Sequence, residues 1–478
     1  MEKLLKEISV DGYKAYSVPE ADVPIKDPGK ILEDKLLRKK QPGLPEISEA
    51  ELNRHFTRLS KENYALSTNF YPLGSCTMKY NPPVNEKISK LSGLANLHPY
   101  QSEDTLQGAL EILFELEKNL CEITGMDAFS LQPAAGAQGE FTGLLIARAY
   151  FNSKKEKRTK IIVPDSAHGT NPASAALAGF EIVSLKSESN GILNPAKVKE
   201  VLTNDVAAIM LTVPNTLGVF EKDILAVEEA VHKNGSLMYY DGANLNALLG
   251  VSRPGNMGFD ILHVNLHKTF STPHGGGGPG AGPVGVKKFL ADFLPYPSVK
   301  KSSEKYFLNY NMPKSIGRVR SFYGNFPVLV KAYAYILASG AEGLKRVSEQ
   351  AVINANYLLS ILGKKLNSPA GNRCMHEFVL SGKDLTLNGV RTLDLAKRLL
   401  DYGYYAPTIY FPLIVEEAIM IEPTETETKA ALDEFAQTFI KILEEAKTDP
   451  EKLKNSPQNT PVTRLNEVEA ARKPILHW

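Results

Sequence analysis

The segment from Ile261 to Phe270 reads ILHVNLHKTF. Its apolar run, residues 261–266, predicts a buried strand that brings Lys268 to the end of that strand. A charged amine in such a place is costly unless something uses it. A lysine held there loses its proton readily and becomes an amine nucleophile, which is what a Schiff base requires. Taken alone, Lys268 is more often a lysine whose ammonium group reaches water, so the neighbouring segments decide between the two interpretations.

The bulk composition excludes several classes of protein. The chain has 478 residues and a formal net charge of +1, which allows about two or three domains and gives no field that favours nucleic acid or an anionic membrane. Its cysteines, Cys76, Cys121 and Cys374, form no CxxC pair, which argues against a disulfide framework and a structural zinc site. No metal site is predicted. The N-terminal segment carries acidic residues and no long apolar run, and no stretch approaches the length needed to span a bilayer, which predicts a cytoplasmic protein without a membrane span.

Apolar runs of strand length occur together with helical patterns through the middle of the chain. These runs cover residues 160–163, 208–213, 237–240, 261–266 and 283–286. Helical patterns accompany them, for example at 141–150 and 224–230. The combination predicts an α/β fold with a mostly parallel sheet, in which ligands gather at the carboxyl ends of the strands.

The pattern predicts three parts of the chain. Residues 1–90 form an N-terminal extension or arm, residues 91–325 a large domain, and residues 326–478 a smaller C-terminal α+β domain with a polar tail. Further helices are predicted at 48–59, 327–337 and 344–362, and one that begins near Leu106 and ends at Gly125.

Small residues open a predicted helix at Pro133–Glu140. Small side chains let a phosphate approach the backbone N–H groups at a helix N-terminus, where the helix dipole favours an anion. Because such turns are common, this signal is weak alone. The candidate phosphate ligands are Ala135, Gly136, Ala137 and Gln138.

Two further side chains follow predicted strands. His168 lies in a turn of small residues and is placed to stack on a flat heterocycle, although a histidine there is more often structural. Asp241 closes an apolar strand, where it is poorly hydrated and needs a cationic partner such as a protonated pyridine nitrogen; the alternative is a helix N-cap. Together with Lys268 and the phosphate loop, these residues predict a pyridoxal phosphate (PLP) site.

Other residues are added to this site with less support. Thr216 is a candidate to hydrogen-bond the phenolic oxygen of PLP, Ala243 belongs to the turn of Asp241, and His267 either reaches the phosphate or only packs. Gly280–Gly285 matches GxGxxG, but it precedes a strand-like run and opens no helix, so a dinucleotide site is excluded. His98 and Tyr100 are candidates to line the substrate pocket, and Arg318 and Arg320 are candidates to attract a substrate carboxylate, although an arginine pair is more often a surface or interface feature. Cys76 suggests a redox role, although such a cysteine is more often a partly buried, inert thiol.

Long motifs carry a resemblance to a known family. The segments 71–82, 165–173, 267–280 and 470–474 resemble signatures of the glycine cleavage system P-protein family, glycine dehydrogenase (decarboxylating). The similarity runs from about residue 60 to the end. It corresponds to the lysine-bearing half of the family, which occurs either as one long chain or as two subunits, and the present length matches subunit 2 of the two-subunit form.

The resemblance implies a fold-type I PLP enzyme that decarboxylates glycine through a PLP aldimine and transfers the aminomethyl group to the lipoyl arm of H-protein. It implies that Lys268 and His168 are catalytic, that Asp241 keeps the pyridine nitrogen protonated, and that subunit 1 completes an α2β2 heterotetramer. Two alternatives remain open. One is a self-sufficient fold-type I PLP decarboxylase or aminotransferase that acts on another amino acid. The other is a scaffold without cofactor, which the intact Lys268, Asp241 and His168 argue against.

Overall fold

The computed structural model describes residues 2–15, 17, 19–40, 42–188, 191–275 and 280–476. It separates into two units, Met1–Ala65 with Pro457–Trp478, and Leu66–Ser456. The three-part division predicted from the sequence, with boundaries after residues 90 and 325, stays a prediction. Within the described ranges, no helix combines the length and the apolar composition that crossing a bilayer requires.

The helices are numbered in chain order. The α-helices are α1 (Glu49–Lys61), α2 (Pro83–Ser89), α3 (Ser92–Ala95), α4 (Gln107–Thr124), α5 (Gly136–Ser153), α6 (Thr170–Leu177), α7 (Pro195–Val201), α8 (Ile224–Lys233), α9 (Leu266–Thr269), α10 (Phe326–Leu362), α11 (Thr392–Asp401), α12 (Lys429–Thr448), α13 (Pro450–Lys454) and α14 (Glu467–Arg472). Short 3-10 helices cover Leu5–Glu7, Pro28–Lys30, Asp34–Leu36, Glu103–Thr105, Leu245–Ala247, Pro254–Met257, Lys288–Phe293 and Lys383–Asn388.

The strands form three sheets. They are β1 (Ala128–Ser130), β2 (Lys160–Pro164), β3 (Glu181–Leu185), β4 (Val206–Thr212), β5 (Leu237–Gly242), β6 (Ile261–Val264), β7 (Val284–Val286), β8 (Ser298–Ser302), β9 (Lys305–Asn309), β10 (Phe378–Ser381), β11 (Thr408–Ile409) and β12 (Ala418–Ile421). The seven-stranded sheet has the order β1-β7-β6-β5-β4-β2-β3, the second sheet has the order β10-β12-β11, and β8 pairs with β9.

The seven-stranded sheet confirms the predicted mostly parallel α/β architecture. The pairs β2–β3, β2–β4, β4–β5 and β5–β6 are parallel, whereas β7 runs antiparallel to β6 and to β1. Successive residues of β5 point to opposite faces: Met238 and Tyr240 pack in one core, and Leu237 and Tyr239 in the other. Both faces are buried, which explains the continuous apolar runs in the sequence.

The structure corrects the predicted strand at 261–266. The strand ends at Val264, and the next residues turn into the short helix α9, which contains Lys268. The backbone N–H groups of Lys268 and Thr269 both donate to the carbonyl of Asn265, at 3.0 and 3.1 Å. Lys268 therefore lies one helical turn beyond the strand, because Asn265 ends the β pairing and starts the turn.

Two strands of this sheet were not predicted. β1 has only three residues, which is too short for a periodic pattern. β3 lies at the sheet edge and is mostly exposed, so its residues do not form a continuous apolar run. Strand prediction depends on a run or an alternation of apolar residues, which a very short strand such as β1 and an exposed edge strand such as β3 do not provide.

The second sheet packs against α10, α11 and α12 around a separate apolar cluster that includes Phe378, Ile421 and Phe439. The helices predicted at 327–337 and 344–362 form the single element α10, which is interrupted at Gly340 (φ 61°, ψ −179°). Helix α4 ends, as predicted, at Gly125 in the left-handed conformation.

The other unit contains α1 and α14. Ser48 caps α1 by accepting a hydrogen bond from the backbone N–H of Glu51, in agreement with the helix predicted at 48–59. The carboxylate of Glu2 contacts His55 Nδ1 at 3.1 Å and Arg58 Nη2 at 2.6 Å, which holds the beginning of the chain against α1.

A buried lysine joins distant segments of the larger unit. Lys79 is 1% exposed, and its Nζ lies 2.8 Å from Glu425 Oε1, 2.9 Å from Asn246 Oδ1 and 3.2 Å from Tyr335 Oη. This network fixes the segment 74–79, which approaches Lys268.

We expect Lys79→Met to lower the free energy of unfolding by about 3–5 kcal/mol, since it leaves the Glu425 carboxylate buried without its cation. Lys90→Met is the matched control, because the ion pair of Lys90 with Glu86 lies at the surface and is worth about 0–1 kcal/mol. Chemical denaturation of both variants measures the difference. Equal effects would show that Lys79 does not hold this segment.

Candidate active site

The site lies at the carboxyl ends of β4, β5 and β6. Thr212 is paired with Asp241 across β4 and β5, and Asp241 is paired with His263 across β5 and β6. This register brings three polar side chains from consecutive strands of the sheet to one place, where ligands of open α/β sheets bind.

Asp241 is 3% exposed and is surrounded by hydrogen-bond partners. Its Oδ1 accepts from the backbone N–H of Ala243 at 2.9 Å and lies 3.3 Å from His263 Nε2. Its Oδ2 lies 3.1 Å from Asn171 Nδ2 and 3.3 Å from Thr212 Oγ1. Burial alone raises the pKa of Asp241, but His263 and these N–H donors outweigh burial and lower it from its ordinary value. The carboxylate is therefore ionised at neutral pH.

Glu140 on α5 lies behind Asp241 and was not predicted. Burial, and then the negative charge of Asp241, raise the pKa of Glu140 to about 8, so it is protonated at neutral pH. Thr170 Oγ1 lies 3.1 Å from its Oε2. The sequence signal was a single acidic residue inside a helix of small and apolar residues. His263 was also missed, because it lies inside an apolar strand that gives no sign of a polar role.

Lys268 is half-buried, and its Nζ donates to the backbone carbonyl of Ser75 at 2.8 Å. Ser75 and Thr77 both have left-handed backbone conformations, with φ of 62° and 33°. Residues other than glycine adopt this conformation only when their surroundings enforce it. The loop at 74–77 therefore stands beside the amine in a strained, fixed geometry, and Ser75 is a site residue that sequence reasoning missed.

His168 lies in the turn before α6, as predicted, and its ring meets that of Phe411 at 5.4 Å and 61°. Its Nδ1 lies 3.1 Å from Thr170 Oγ1. Although His168 keeps exposed surface, loss of hydration lowers the pKa of its imidazole, and the positive charge of Lys268 lowers it further. The ring is therefore uncharged at neutral pH.

The predicted phosphate loop forms the start of α5. Ala135 is the N-cap residue, and Gly136 and Ala137 open the helix. A Cβ atom on Gly136 would come within 2.2 Å of Asn265 Nδ2, so glycine is required where the loop meets the turn before α9. The helix begins directly at this glycine, and the N-terminus of a helix can bind an anion.

Gln138 supports this loop. Its Oε1 accepts from the backbone N–H of Ala134 at 2.6 Å, and its Nε2 donates to the carbonyl of Val319 at 2.7 Å. Both ends of the side-chain amide are therefore used within the protein, which makes Gln138 a support of the loop.

His267, in α9, is a further candidate for the phosphate site. A Cβ atom on Gly280 would come within 2.1 Å of His267 Nδ1, and among the described residues this buried nitrogen has no hydrogen-bond partner. Burial, then the charge of Lys268, lower the pKa of His267 to about 3, so its ring is neutral. Residues 276–279 of the glycine-rich motif lie outside the described residues.

The remaining candidates have other contacts. Thr216 is buried and donates its hydroxyl to the carbonyl of Ser166, and the N–H of Ala243 is occupied by Asp241. Burial raises the pKa of the Cys76 thiol, which is consequently not a thiolate at neutral pH.

The more distant candidates lie around aromatic groups. The Arg318 guanidinium stacks over the rings of Tyr296 and Tyr310, and Arg320 donates to the Asn325 side chain. The ring of His98 lies 5.7 Å from that of Tyr100. The guanidinium groups of both arginines therefore have partners within the protein.

The described residues fit PLP. The buried carboxylate of Asp241 is available to the ring nitrogen, and the amine of Lys268 is available to the aldehyde. The N-terminus of α5, together with the unpartnered imidazole nitrogen of His267, is available to the phosphate. These groups, placed at the carboxyl edge of this sheet, define a PLP-dependent enzyme of fold type I.

The chain belongs to the glycine cleavage system P-protein family. Residues 16–299 match the family model of that name, and residues 347–464 match a model of the C-terminal domain of glycine dehydrogenase. A probable glycine dehydrogenase (decarboxylating) subunit 2 from Endomicrobium trichonymphae is 64% identical over 479 residues, which covers 100% of this chain and 99% of the relative. A Thermotoga maritima protein of the same description is 58% identical over 474 residues, 99% of both chains.

Solved structures support the fold. A crystal structure of a glycine decarboxylase (P-protein) in inhibitor-bound form superposes with a TM-score of 0.73 at 21% identity, covering 86% of this chain and 93% of that chain. A cysteine desulfurase from Thermococcus onnurineus gives a TM-score of 0.62 at 13% identity, covering 79% of this chain and 95% of the other.

We expect Gly136→Ala to weaken PLP binding at least about tenfold, because the added methyl group pushes Asn265 and the helix N-terminus apart. Absorbance titration of the apoprotein with PLP measures the affinity. Gly108→Ala is the control, since Gly108 also lies in the first turn of a helix and a Cβ there meets nothing within 4 Å. Unchanged affinity in Gly136→Ala would remove α5 from the phosphate site.

Proposed function

We propose that this chain is the lysine-bearing catalytic subunit of a glycine decarboxylase. It would release CO2 from glycine and pass the remaining aminomethyl group to the lipoyl arm of H-protein. The observation that carries the proposal is the convergence of Lys268 and ionised Asp241 at one sheet edge, in a chain 64% identical to a probable glycine dehydrogenase subunit 2 over its whole length.

In this proposal, each part of the cofactor has a binding group. Bound PLP supplies an electron sink for the pair of electrons left when the carboxylate departs. Lys268 would hold the aldehyde carbon through its Nζ. The backbone N–H groups of Ala135, Gly136 and Ala137 would bind the phosphate, with His267 beside them.

Asp241 would keep a proton on the pyridine nitrogen. Its low pKa means that it stays a carboxylate at neutral pH, and the hydrogen bonds from Ala243 and Asn171 fix the direction of its oxygens. Glu140 stays protonated and so adds no second negative charge behind it. The negative charge is thereby concentrated where a pyridinium would lie.

His168 would lie against the face of the cofactor ring. Its lowered pKa makes it a neutral aromatic surface, which avoids a second cation beside Lys268. The hydroxyl of Thr216 donates to the carbonyl of Ser166, in the turn that contains His168. This hydroxyl would have to rotate to reach the phenolic oxygen of PLP.

The overall reaction balances with a lipoyl disulfide as the oxidant. The bond between the glycine carbon and its carboxylate breaks, the carbon forms a bond to one sulfur, and the S–S bond breaks. The second sulfur takes one proton and becomes a thiol. Since the lipoyl arm belongs to H-protein, the site has to remain accessible to a second macromolecule.

We place subunit 1 beside this chain in an α2β2 heterotetramer. The description of the relatives as subunit 2 supports a partner subunit. All three cysteines are free, which fits the reducing cytoplasm that we propose as the compartment.

Exchange of labelled CO2 into glycine tests the function. We expect exchange that requires the partner subunit and lipoylated H-protein, and Asp241→Asn to reduce it about 10²-fold or more, because the charge facing the ring nitrogen is lost. Asp292→Asn, at an exposed surface ion pair, is the control and should match wild type. Full decarboxylation or amino transfer on another amino acid by this chain alone would contradict the proposal and support the self-sufficient enzyme.

A further inference from the structure

Two glutamates face each other across the second sheet. Glu377 immediately precedes β10, and Glu422 immediately follows β12. Phe378 is paired with Ile421 in this antiparallel register, so the next opposed pair is Glu377 and Glu422. Both have 0% exposure. Like charges directly opposite each other destabilise a sheet, and two neighbouring carboxylates without water do not both ionise at neutral pH.

The pair holds the strained loop beside Lys268. The backbone N–H of Ser75 donates to Glu377 Oε2 at 2.8 Å, and that of Thr77 donates to Glu422 Oε2 at 2.9 Å. These are the N–H groups of the two residues in left-handed conformation, on either side of Cys76. The Ser75 carbonyl in turn accepts from Lys268 Nζ. A direct chain of contacts therefore runs from the carboxyl pair to the amine.

The loop has a further anchor on the same sheet. Thr408 Oγ1 donates to the Gly74 carbonyl at 2.7 Å, and Leu73 forms a bridge with Ile421. A Cβ on Gly74 would come within 2.7 Å of the Met420 carbonyl, so the backbone lies directly on β12. The loop is therefore held by Glu377 and Glu422 on one side and by β12 on the other. We call this arrangement the clamp.

Four titratable groups face the pair. His376 Nε2 lies 4.0 Å from Glu377 Oε1 and 3.9 Å from Glu422 Oε1, and burial lowers its pKa to about 3, so it is neutral. Lys268 supplies positive charge. Glu425 is paired with Lys79, and Cys76 has a raised pKa and remains a thiol.

The electrostatics of the pair agree with its geometry. Burial, then the charge of Glu422, raise the pKa of Glu377 to about 8, and burial raises that of Glu422 to about 7. The ordinary value for both is 4.5. At neutral pH, the pair therefore keeps a proton that an exposed pair would release.

We propose that Glu377 and Glu422 are positioning residues that hold the loop 74–77, so that the Ser75 carbonyl orients the Lys268 amine, and that the two opposed carboxyl groups retain a proton at neutral pH. When that proton leaves, two negative charges face each other, the carboxylates separate, and the loop is released. The activity readout below rests on the proposed function, whereas the chemical and stability readouts do not.

The test uses Glu422→Gln and Glu422→Ala in the complete complex. The glutamine oxygen can still accept from the Thr77 N–H, so the loop stays held without a titrating group at position 422. We expect Glu422→Gln to keep wild-type glycine exchange at neutral pH and to retain it toward about pH 9, where wild type declines. Glu422→Ala should lose about 10²-fold at every pH, as a misdirected amine would.

Alkylation of Cys76 by iodoacetamide reports on the loop without reference to activity. Peptide mass spectrometry gives its rate relative to Cys121, which serves as the internal control for the pH dependence of thiol chemistry. We expect the relative rate to rise above about pH 8 in wild type, to stay constant in Glu422→Gln, and to be high at all pH values in Glu422→Ala.

The same proton sets a pH dependence of stability. The folded-state pKa values lie above those of the unfolded chain, so the protonated pair stabilises the folded protein, and this contribution is lost as pH rises from about 4.5 to about 8. Glu422→Gln should flatten this decline in thermal denaturation.

Several results would overturn the proposal. One is an equal loss of activity in Glu422→Gln and Glu422→Ala. Another is a Cys76 alkylation rate that follows that of Cys121 in all three proteins. A third is a stoichiometric divalent metal that is lost with Glu422→Gln. If wild type shows no glycine exchange but the alkylation pattern holds, the proposed function fails and the clamp stands.

Discussion

The hydrogen bond from the Lys268 amine to the Ser75 carbonyl is the contact around which the site is built. It joins residues that are 193 positions apart in the chain. The carbonyl can stand there only because Ser75 and Thr77 accept a strained backbone conformation. That conformation is held by β12, by Thr408 and by two buried carboxyl groups of the second sheet.

Burial sets the charge of nearly every titratable group near this amine. The pKa values of His168, His267 and His376 are all lowered, so these rings are neutral. The pKa values of Glu140, Glu377 and Glu422 are all raised. Asp241 differs, because its hydrogen bonds and His263 outweigh burial and keep it ionised. Asp241 is therefore an ionised carboxylate beside neutral Glu140, which suits a cofactor with a cationic ring nitrogen.

Part of this arrangement could be predicted from the sequence. Apolar runs located β2, β4, β5, β6 and β7, and the polar residues that follow two of them gave His168 and Asp241. Because the carboxyl ends of parallel strands lie at the same edge of the sheet, these residues were expected near Lys268. The roles of these residues were inferred from their chemistry and then from the family resemblance, and they stay predictions. The exact end of β6 was wrong because one residue, Asn265, converts the strand into a helical turn.

The carboxyl pair could not be found in this way. Glu377 contacts the N–H of Ser75 across 302 positions, and Glu422 contacts that of Thr77 across 345. Their opposition depends on the register of β10 and β12, which no local pattern specifies. Glu140 and His263 were missed for a related reason, since a polar residue inside an apolar element shows its role only when the neighbouring element is in place.

The most direct measurement of the central claim is borohydride reduction of the purified complex with PLP, followed by mass mapping of the pyridoxyl group. We expect a single labelled peptide that contains Lys268, and no label there in Lys268→Ala, while Lys288→Ala, at an exposed lysine, is labelled like wild type. A label on another lysine, or an adduct that survives Lys268→Ala, would contradict the account.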